Sequence, residues 1–527
     1  MCKVLAMALV MMLAGPPGSM PDAAAGGANP VVLVHGLNST ATKWAAYLGP
    51  EGFLAKVGRR GFAVGDGQTP GVLRTGSYTE PFGGTNTIAE NAAILRDYIA
   101  GVRRMTGAAR VDIVAHSMGG LISRYYIDRL MDERDVDRLV MLGTPNGGSP
   151  CANLPARLGI STPATLELRP SYLNDVFNQQ ITRRNGVSFH ALAGDVFTEA
   201  LRSPCTGAPS DLVVDVDSVE AAGVAAKRLP LLHDDLQRSA EAFGEFVAPA
   251  LASDVAEPGN ETGTSPARPD EPQTVALAAG HVAAGAHVEQ VLNIDEVAVA
   301  TFAIFDSTRS LAVSVRGASG NPLELSAAEN GLIKIDDPET LLYLGYGFVN
   351  PQPGPWWITL HSTDRTPPTG ADFALTAQVQ GGATLRSQTS ELLPEVGEEV
   401  HISATFESDG PPVAIRRAVA LIRTPDGGEE AVMLKGGGVE PVGAWRPDRV
   451  GLHGIDVVVV GETADGERVE RTDFLVAEVQ AVEAGIPWFP IFVLAGVALI
   501  VVAGVGGFAA LVVAVYGFRR RSSRVNA

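Results

Sequence analysis

The chain has 527 residues, enough for about three domains; at 46% hydrophobic and 19% charged it is neither wholly disordered nor a long coiled coil. Formal net charge is −19, of which −4 lies before Glu261 and −15 from there onward. An acidic chain without a basic patch is a poor nucleic-acid binder, so that class is set aside.

The first element is Met1-Cys2-Lys3, then an apolar run over 4–14 and small residues up to Pro30. That outline predicts a secretory signal peptide over 1–28. From 29 to 252, strand-like and helix-like segments alternate. Val31-Val32-Leu33-Val34 reads as a short buried strand, and His35-Gly36 follows it at once. In a hydrolase of this arrangement the next residue, Leu37, lends its backbone N–H to an oxyanion hole. Ile88, Ala92, Leu95, Ile99 and Val102 recur at helical spacing and predict a helix over 87–105.

The strand Val111-Asp112-Ile113-Val114 leads into Ala115-His116-Ser117-Met118-Gly119-Gly120, and a helix is expected from Met118 to about Met131. A serine between small neighbours, on a strand-to-helix turn, is the pattern of a nucleophile elbow. Ser117 is the candidate nucleophile, and Met118 offers the second oxyanion N–H. Ala115 stands where glycine is commoner and adds only a methyl group. A third strand is expected at Leu139–Leu142. The segment 153–180, mixing Leu, Pro and aromatics, reads as a lid or acyl-binding wall, with a plain surface loop as the alternative. Phe189–Ala193 is the fourth strand. Strands alternating with helices imply a mostly parallel sheet covered on both faces.

A serine nucleophile needs a base and an orienting acid, in the chain order Ser, Asp or Glu, His for this arrangement. Beyond Ser117 the histidines before residue 253 are His190 and His233. His190 lies inside a strand and reads as packed structure. His233 sits in a loop opening the last helix and is the candidate base. Asp211, in Ser210-Asp211-Leu212-Val213-Val214, is the candidate acid, with Asp195 and Asp215 as rivals and Asp217 less favoured. Three cysteines are present. Cys2 would leave with the signal peptide, and Cys151 and Cys205 remain as a candidate disulfide outside the cytoplasm.

Residues 253–272 are rich in Pro, Gly, Thr and acid and predict a linker. Beyond it the period shortens. Ala298–Phe305, Leu311–Val315, Trp356–Leu360, Phe373–Val379, Val419–Arg423 and Ile455–Val460 read as strands. Two antiparallel β-sandwiches are expected, at 273–381 and, Ig-like, at 382–482. Neither concentrates catalytic residues; spacing, surface contact or substrate presentation are their expected roles. No charged residue occurs from Ala484 to Phe518, and 491–515 is apolar or glycine throughout. Roughly 20 apolar residues span a bilayer, so a transmembrane helix is expected over 488–518. Arg519, Arg520, Arg521 and Arg524 follow, placing the basic tail 519–527 in the cytoplasm and the preceding domains outside.

Together, Val-His-Gly (34–36), Ala-His-Ser-Met-Gly-Gly (115–120), Leu-Gly-Thr-Pro-Asn-Gly-Gly-Ser (142–149), Ser-Asp-Leu-Val-Val (210–214) and Leu-His-Asp-Asp-Leu (232–236) resemble a known family. They look like bacterial α/β-hydrolase lipases and esterases, and the related lipase-like deacylases of membrane glycolipids. The resemblance covers about 30–250, under half the chain. It implies an α/β-hydrolase fold, and that the aspartate of the Asp-x-Val-Val segment is the triad acid, in agreement with Asp211. Some bacterial lipases of this group hold calcium near the catalytic histidine. Asp235 matches one such ligand, no convincing second is present, and neither metal nor cofactor is expected. The expected activity is hydrolysis of acyl esters, lipids among them, on the outer face of a membrane. The same triad could instead serve an acyltransferase or amidase. A third alternative is a surface adhesion protein that has lost catalysis.

Overall fold

The computed structural model describes residues 28–482, apart from 78–83, 154–160, 197–208, 254–272, 307, 326–332, 337–342, 409, 411 and 437–439. The expected signal peptide up to residue 27, the expected linker beyond Ser253, Cys205, the apolar C-terminal segment and the basic tail lie outside the described residues. Among those described, no helix is long and apolar enough to cross a membrane.

The N-terminal half is built on six parallel strands in the order β2-β1-β3-β4-β5-β6. They are β1 (Val31–Val34), β2 (Gly61–Ala63), β3 (Val111–His116), β4 (Val136–Leu142), β5 (Ser188–Gly194) and β6 (Ala226–Leu229). All of β1 and β3 is buried, as expected of central strands with helices on both faces. The four strands expected from sequence are present. The edge strands β2 and β6 are additions: three residues in one, and Lys227-Arg228 in the other, leave no apolar pattern to read.

Helix α1 (Ile88–Thr106) begins at a capping box in which Thr87 and Glu90 each satisfy the other's backbone N–H. It ends at Gly107, in the left-handed conformation. Its apolar stripe, Ile88, Ala92, Leu95, Ile99 and Val102, is buried. Helix α2 (Met118–Tyr125) forms the first part of the expected helix. It gives way to a widened π turn over Tyr126–Leu130, where the buried Asp128 accepts from the amides of Thr182 and Arg183 at 2.8 and 2.6 Å.

The C-terminal half is antiparallel. Its strands are β7 (Gln273–Val282), β8 (His287–Ile294), β9 (Val299–Asp306), β10 (Leu311–Arg316), β11 (Ile333–Ile335), β12 (Tyr343–Val349), β13 (Gly354–Ser362) and β14 (Ala371–Gln380). Then come β15 (Ala383–Thr389), β16 (Val400–Ser408), β17 (Val413–Arg423), β18 (Glu429–Met433), β19 (Val442–Trp445), β20 (Gly451–Thr463) and β21 (Arg468–Val479). Two buried clusters give it two lobes, one around Phe302, Trp356 and Phe373, the other around Phe406, Trp445 and Val457.

The lobes are not independent sandwiches. One nine-stranded sheet, β11-β12-β9-β14-β7-β21-β20-β17-β18, runs through both, joined where Thr472 pairs with Thr274. Alternation in a sequence locates strands but does not say which edges meet, so this continuity was not foreseeable.

Both lobes also dock on the N-terminal half. Leu452 of β20 and Val476 of β21 belong to the same buried cluster as α1 and the sheet. Arg169 and Asp456, both fully buried, form an ion pair at 3.3 Å across this boundary. Arg169 also donates to the Leu475 carbonyl at 3.2 Å, and Asp456 accepts from Arg423 at 2.7 Å. The described part of the 153–180 segment is therefore an internal wall rather than a surface loop. Leu166, Leu168 and Tyr172 are buried in it.

A cavity of about 100 Å³ at this boundary is lined by Glu167, Tyr172, Glu478 and neighbouring apolar groups. Burial holds the Glu167 carboxyl well above the usual carboxylate range, even though it accepts from the Ile88 amide at 2.7 Å. Burial raises Glu478 as well. A carboxyl raised on folding stabilises most below its unfolded value, and that contribution is lost as pH rises through the folded value. Glu167→Gln keeps an acceptor for Ile88 and removes the charge. It is expected to raise the melting temperature at pH 8 and to have little effect at pH 4, as read by calorimetry across that range.

Candidate active site

The end of β3 and the start of α2 create the site. Ser117 sits between them at φ 53 and ψ −131, a conformation that non-glycine residues rarely adopt and that the surroundings must hold. Its N–H donates to the Leu142 carbonyl at 2.9 Å, tying the turn to β4. The close approach explains the small residue two positions on. A Cβ at Gly119 would lie 2.5 Å from the Val34 carbonyl oxygen.

The loop after β1 packs directly against this turn. A Cβ at Gly36 would lie 2.7 Å from the Ser117 Cβ and 2.9 Å from the Met118 backbone nitrogen. Thr75 donates its hydroxyl to the Gly36 carbonyl at 2.8 Å, and Asn38 takes a left-handed φ of 54. These contacts set the residue before Leu37 against the Met118 amide, Leu37 and Met118 being the two candidate oxyanion donors. His35 is buried, its Nδ1 3.1 Å from the Gly36 carbonyl. Burial lowers its pKa, so the imidazole is a neutral structural group.

Gly36→Ala would drive a methyl group against the Met118 amide nitrogen and the Ser117 Cβ. A loss of about 10²-fold or more in kcat is expected, the size of losing one donor. Steady-state hydrolysis of a soluble ester, with the far-UV spectrum as a check on folding, measures it.

Asp211 and His233 meet. His233 Nδ1 lies 2.7 Å from Asp211 Oδ2, with Asp211 fully buried and His233 7% exposed. Asp211 Oδ1 accepts from the amides of Val213 at 2.9 Å and Val214 at 2.7 Å, so the carboxylate is aimed by its own turn. Burial by itself would lower the His233 pKa, but the charge and hydrogen bond of Asp211 outweigh it and raise the imidazole above its ordinary value.

His233, the candidate base, is seated against the Ser117 turn through His116. His116 Nε2 donates to the His233 carbonyl at 2.9 Å, and the two rings stand 4.6 Å apart. Burial, and then the neighbouring His233, push His116 down to about 4, so it stays neutral. Asp234 is held below the usual carboxylate range by His116, His233 and Lys43, against the opposing effect of burial; Lys43 lies 3.2 Å away. His116 was not singled out from sequence. Its place beside Ser117 was the available signal.

The rivals lie elsewhere. Asp215 caps the helix Val216–Glu220 by accepting from Ser218 N at 2.6 Å, and burial raises it to about 6. Asp217 is exposed in the first turn of that helix. Asp195 follows β5, its N–H donating to the Leu229 carbonyl. His190 sits within β5, 3.5 Å from the Ser253 hydroxyl. Asp235 pairs with Arg238 at 2.9 Å. Among the described residues no three His, Cys, Asp or Glu side chains converge as metal ligands. Cys151 is disulfide-bonded, and its partner lies outside the described residues.

Residues 75–148, which contain the elbow, match the family model of class 2 lipases. Among solved structures, lipase BlEst2 of Bacillus licheniformis in its propeptide form is similar to 88% of this chain and 96% of its own, at 17% identity and a TM-score of 0.55. The mature form of that lipase covers 45% of this chain and 96% of its own, at 20% identity and a TM-score of 0.34. A monoacylglycerol lipase of Paleococcus ferrophilus covers 43% and 96%, at 15% identity and a TM-score of 0.29. The parallel sheet, the strand-to-helix turn at Ser117 and the family match over 75–148 agree: the N-terminal half of this chain has an α/β fold similar to that of bacterial lipases.

Proposed function

We propose that the chain is a serine carboxylic-ester hydrolase, a lipase or esterase that works through Ser117, His233 and Asp211. The observation that carries this reading is the buried Asp211–His233 pair at 2.7 Å, seated by His116 against a strained Ser117 elbow. With Nδ1–H given to Asp211, the neutral imidazole keeps its lone pair on Nε2. Nε2 takes the proton of Ser117 as Oγ attacks the ester carbonyl, and Asp211 stabilises the imidazolium that forms. The N–H groups of Leu37 and Met118 receive the oxyanion. Collapse of the tetrahedral intermediate expels the alcohol, which takes the proton from His233. Water then repeats the sequence on the acyl enzyme and releases the acid.

We assign it lipid or other acyl esters as substrates, at the outer face of a membrane. The signal-like start and the apolar segment before the four C-terminal arginines support that address. The test is hydrolysis of p-nitrophenyl esters from acetyl to palmitoyl, and of an emulsified triacylglycerol, by the full chain in mild detergent. Turnover that grows with chain length and vanishes in Ser117→Ala supports the reading. Exclusive transfer to an alcohol acceptor, or cleavage of amides alone, favours the acyltransferase or amidase alternative. A folded chain inert in every assay favours the adhesion protein.

A second reading has one observation in its favour: the similarity to the Bacillus lipase spans the β-rich half as well, and that lipase is in a propeptide form. On this reading the β-rich half is a detachable cover. Its removal would then raise the ester turnover per folded hydrolase domain.

A further inference from the structure

The acid loop is shared between the two halves of the molecule. Asp211, Leu212, Val213 and Val214 form a closed turn in which Asp211 N–H donates to the Val214 carbonyl at 3.1 Å. The Asp211 carbonyl accepts from His233 N–H at 3.3 Å. Any rotation of this turn therefore moves the carboxylate and the backbone of the base together. At its apex Leu212 has φ 76, a left-handed conformation that residues with side chains rarely adopt and that must be held from outside.

The hydrolase half holds one side, where the Ser149 hydroxyl donates to the Val213 carbonyl at 2.5 Å. The other side is held by the first β-lobe. Tyr343, at the start of β12 and 3% exposed, donates its hydroxyl to the Leu212 carbonyl at 2.8 Å. Its ring and Ala303 of β9 bury the Leu212 side chain, in a cluster that also touches Cys151, Val213 and Leu232. Leu232 directly precedes the base.

We propose that Tyr343 is a positioning residue for the triad: its hydroxyl fixes the Leu212 peptide and so aims the Asp211 carboxylate at His233. The proposal rests on the serine-hydrolase reading above and extends it, because it makes the β-rich half part of the catalytic unit. More than 100 residues separate Tyr343 from the loop it holds, which no spacing rule would connect.

The test uses the full chain. Tyr343→Phe keeps the ring over Leu212 and removes the hydroxyl. Two readouts are taken. One is the proton NMR signal of the imidazole N–H of His233 bonded to Asp211, assigned by its loss in Asp211→Asn and followed with pH. The charged or titratable groups facing that ring are Asp211, Asp234 and His116, with Lys43 behind Asp234. The other is kcat and KM for p-nitrophenyl acetate across the same pH range.

The expected result is a kcat lower by about three- to tenfold, the yield of one neutral hydrogen bond, with KM within about twofold. The His233 titration and the acid limb of the rate move to lower pH, because Asp211 supports the imidazolium less well. Leu212→Gly, which relieves the left-handed backbone, recovers most of the loss in the Tyr343→Phe background.

A purely structural role would lower activity only in proportion to the folded fraction and leave both pH midpoints in place. That outcome overturns the proposal, as does an unchanged variant. A rise in activity overturns it too, and points to a cover instead. If the wild-type chain hydrolyses no ester, the proposed function fails, while the NMR titration still decides whether Tyr343 sets the Asp211–His233 pair.

Discussion

Asp211→Asn is expected to leave the chain folded and to lower kcat by about 10⁴-fold, with KM little changed. The reason is geometric. Asn can still accept from Val213 and Val214 through its carbonyl oxygen, so the turn survives. Its amide nitrogen then faces His233 Nδ1, where Asp211 Oδ2 now stands at 2.7 Å. The ring must accept at Nδ1 and carry its proton on Nε2, the wrong tautomer for a base. Ser117→Ala removes the proposed nucleophile and is expected to cost at least as much. Combining the two should lose little more than either alone, since they act as a unit. Ester hydrolysis by the purified variants, with melting curves alongside, measures both effects.

Asp456→Ala is expected to be the most damaging single change away from the site. It leaves Arg169, fully buried, and Arg423, 8% exposed, without their shared carboxylate. Removing one partner of a buried ion pair costs about 3–5 kcal/mol, because the remaining charge is stranded in low dielectric. The hydrogen bond from Arg169 to the Leu475 carbonyl and its stacking over Phe474 at 5.4 Å offset part of that loss. A denaturant midpoint lowered with an unchanged slope would show lost stability of one cooperative unit. Two separated transitions would show instead that the lobes had come away from the N-terminal half.

The parts legible in the sequence were those written in local patterns. The stripe from Ile88 to Val102, the apolar β1 and β3, and the small residues around Ser117 each declare their element through spacing alone. Asp211 and His233 came from chain order and neighbouring residues, and the fold brings these two together 22 positions apart. The missing parts depend on partners distant along the chain. β6 carries Lys227 and Arg228 because it is an edge, so its sequence looks like a loop. The joining of two lobes into one sheet depends on a single pairing, Thr472 with Thr274. Nothing in the stretch around Arg169 points to Asp456, which only the fold sets beside it. Tyr343 lies outside the strands named from sequence, and only the register of β12 beside β9 brings it to the acid loop.

The central claim is that Ser117 is an activated nucleophile. The most direct measurement is reaction of the full chain with a fluorophosphonate probe, the adduct being mapped by mass spectrometry. The account predicts one adduct, on Ser117, formed much more slowly in Asp211→Asn and His233→Ala and absent in Ser117→Ala. Labelling of another serine, or no labelling of a folded chain with its disulfide intact and detergent micelles present, would contradict it.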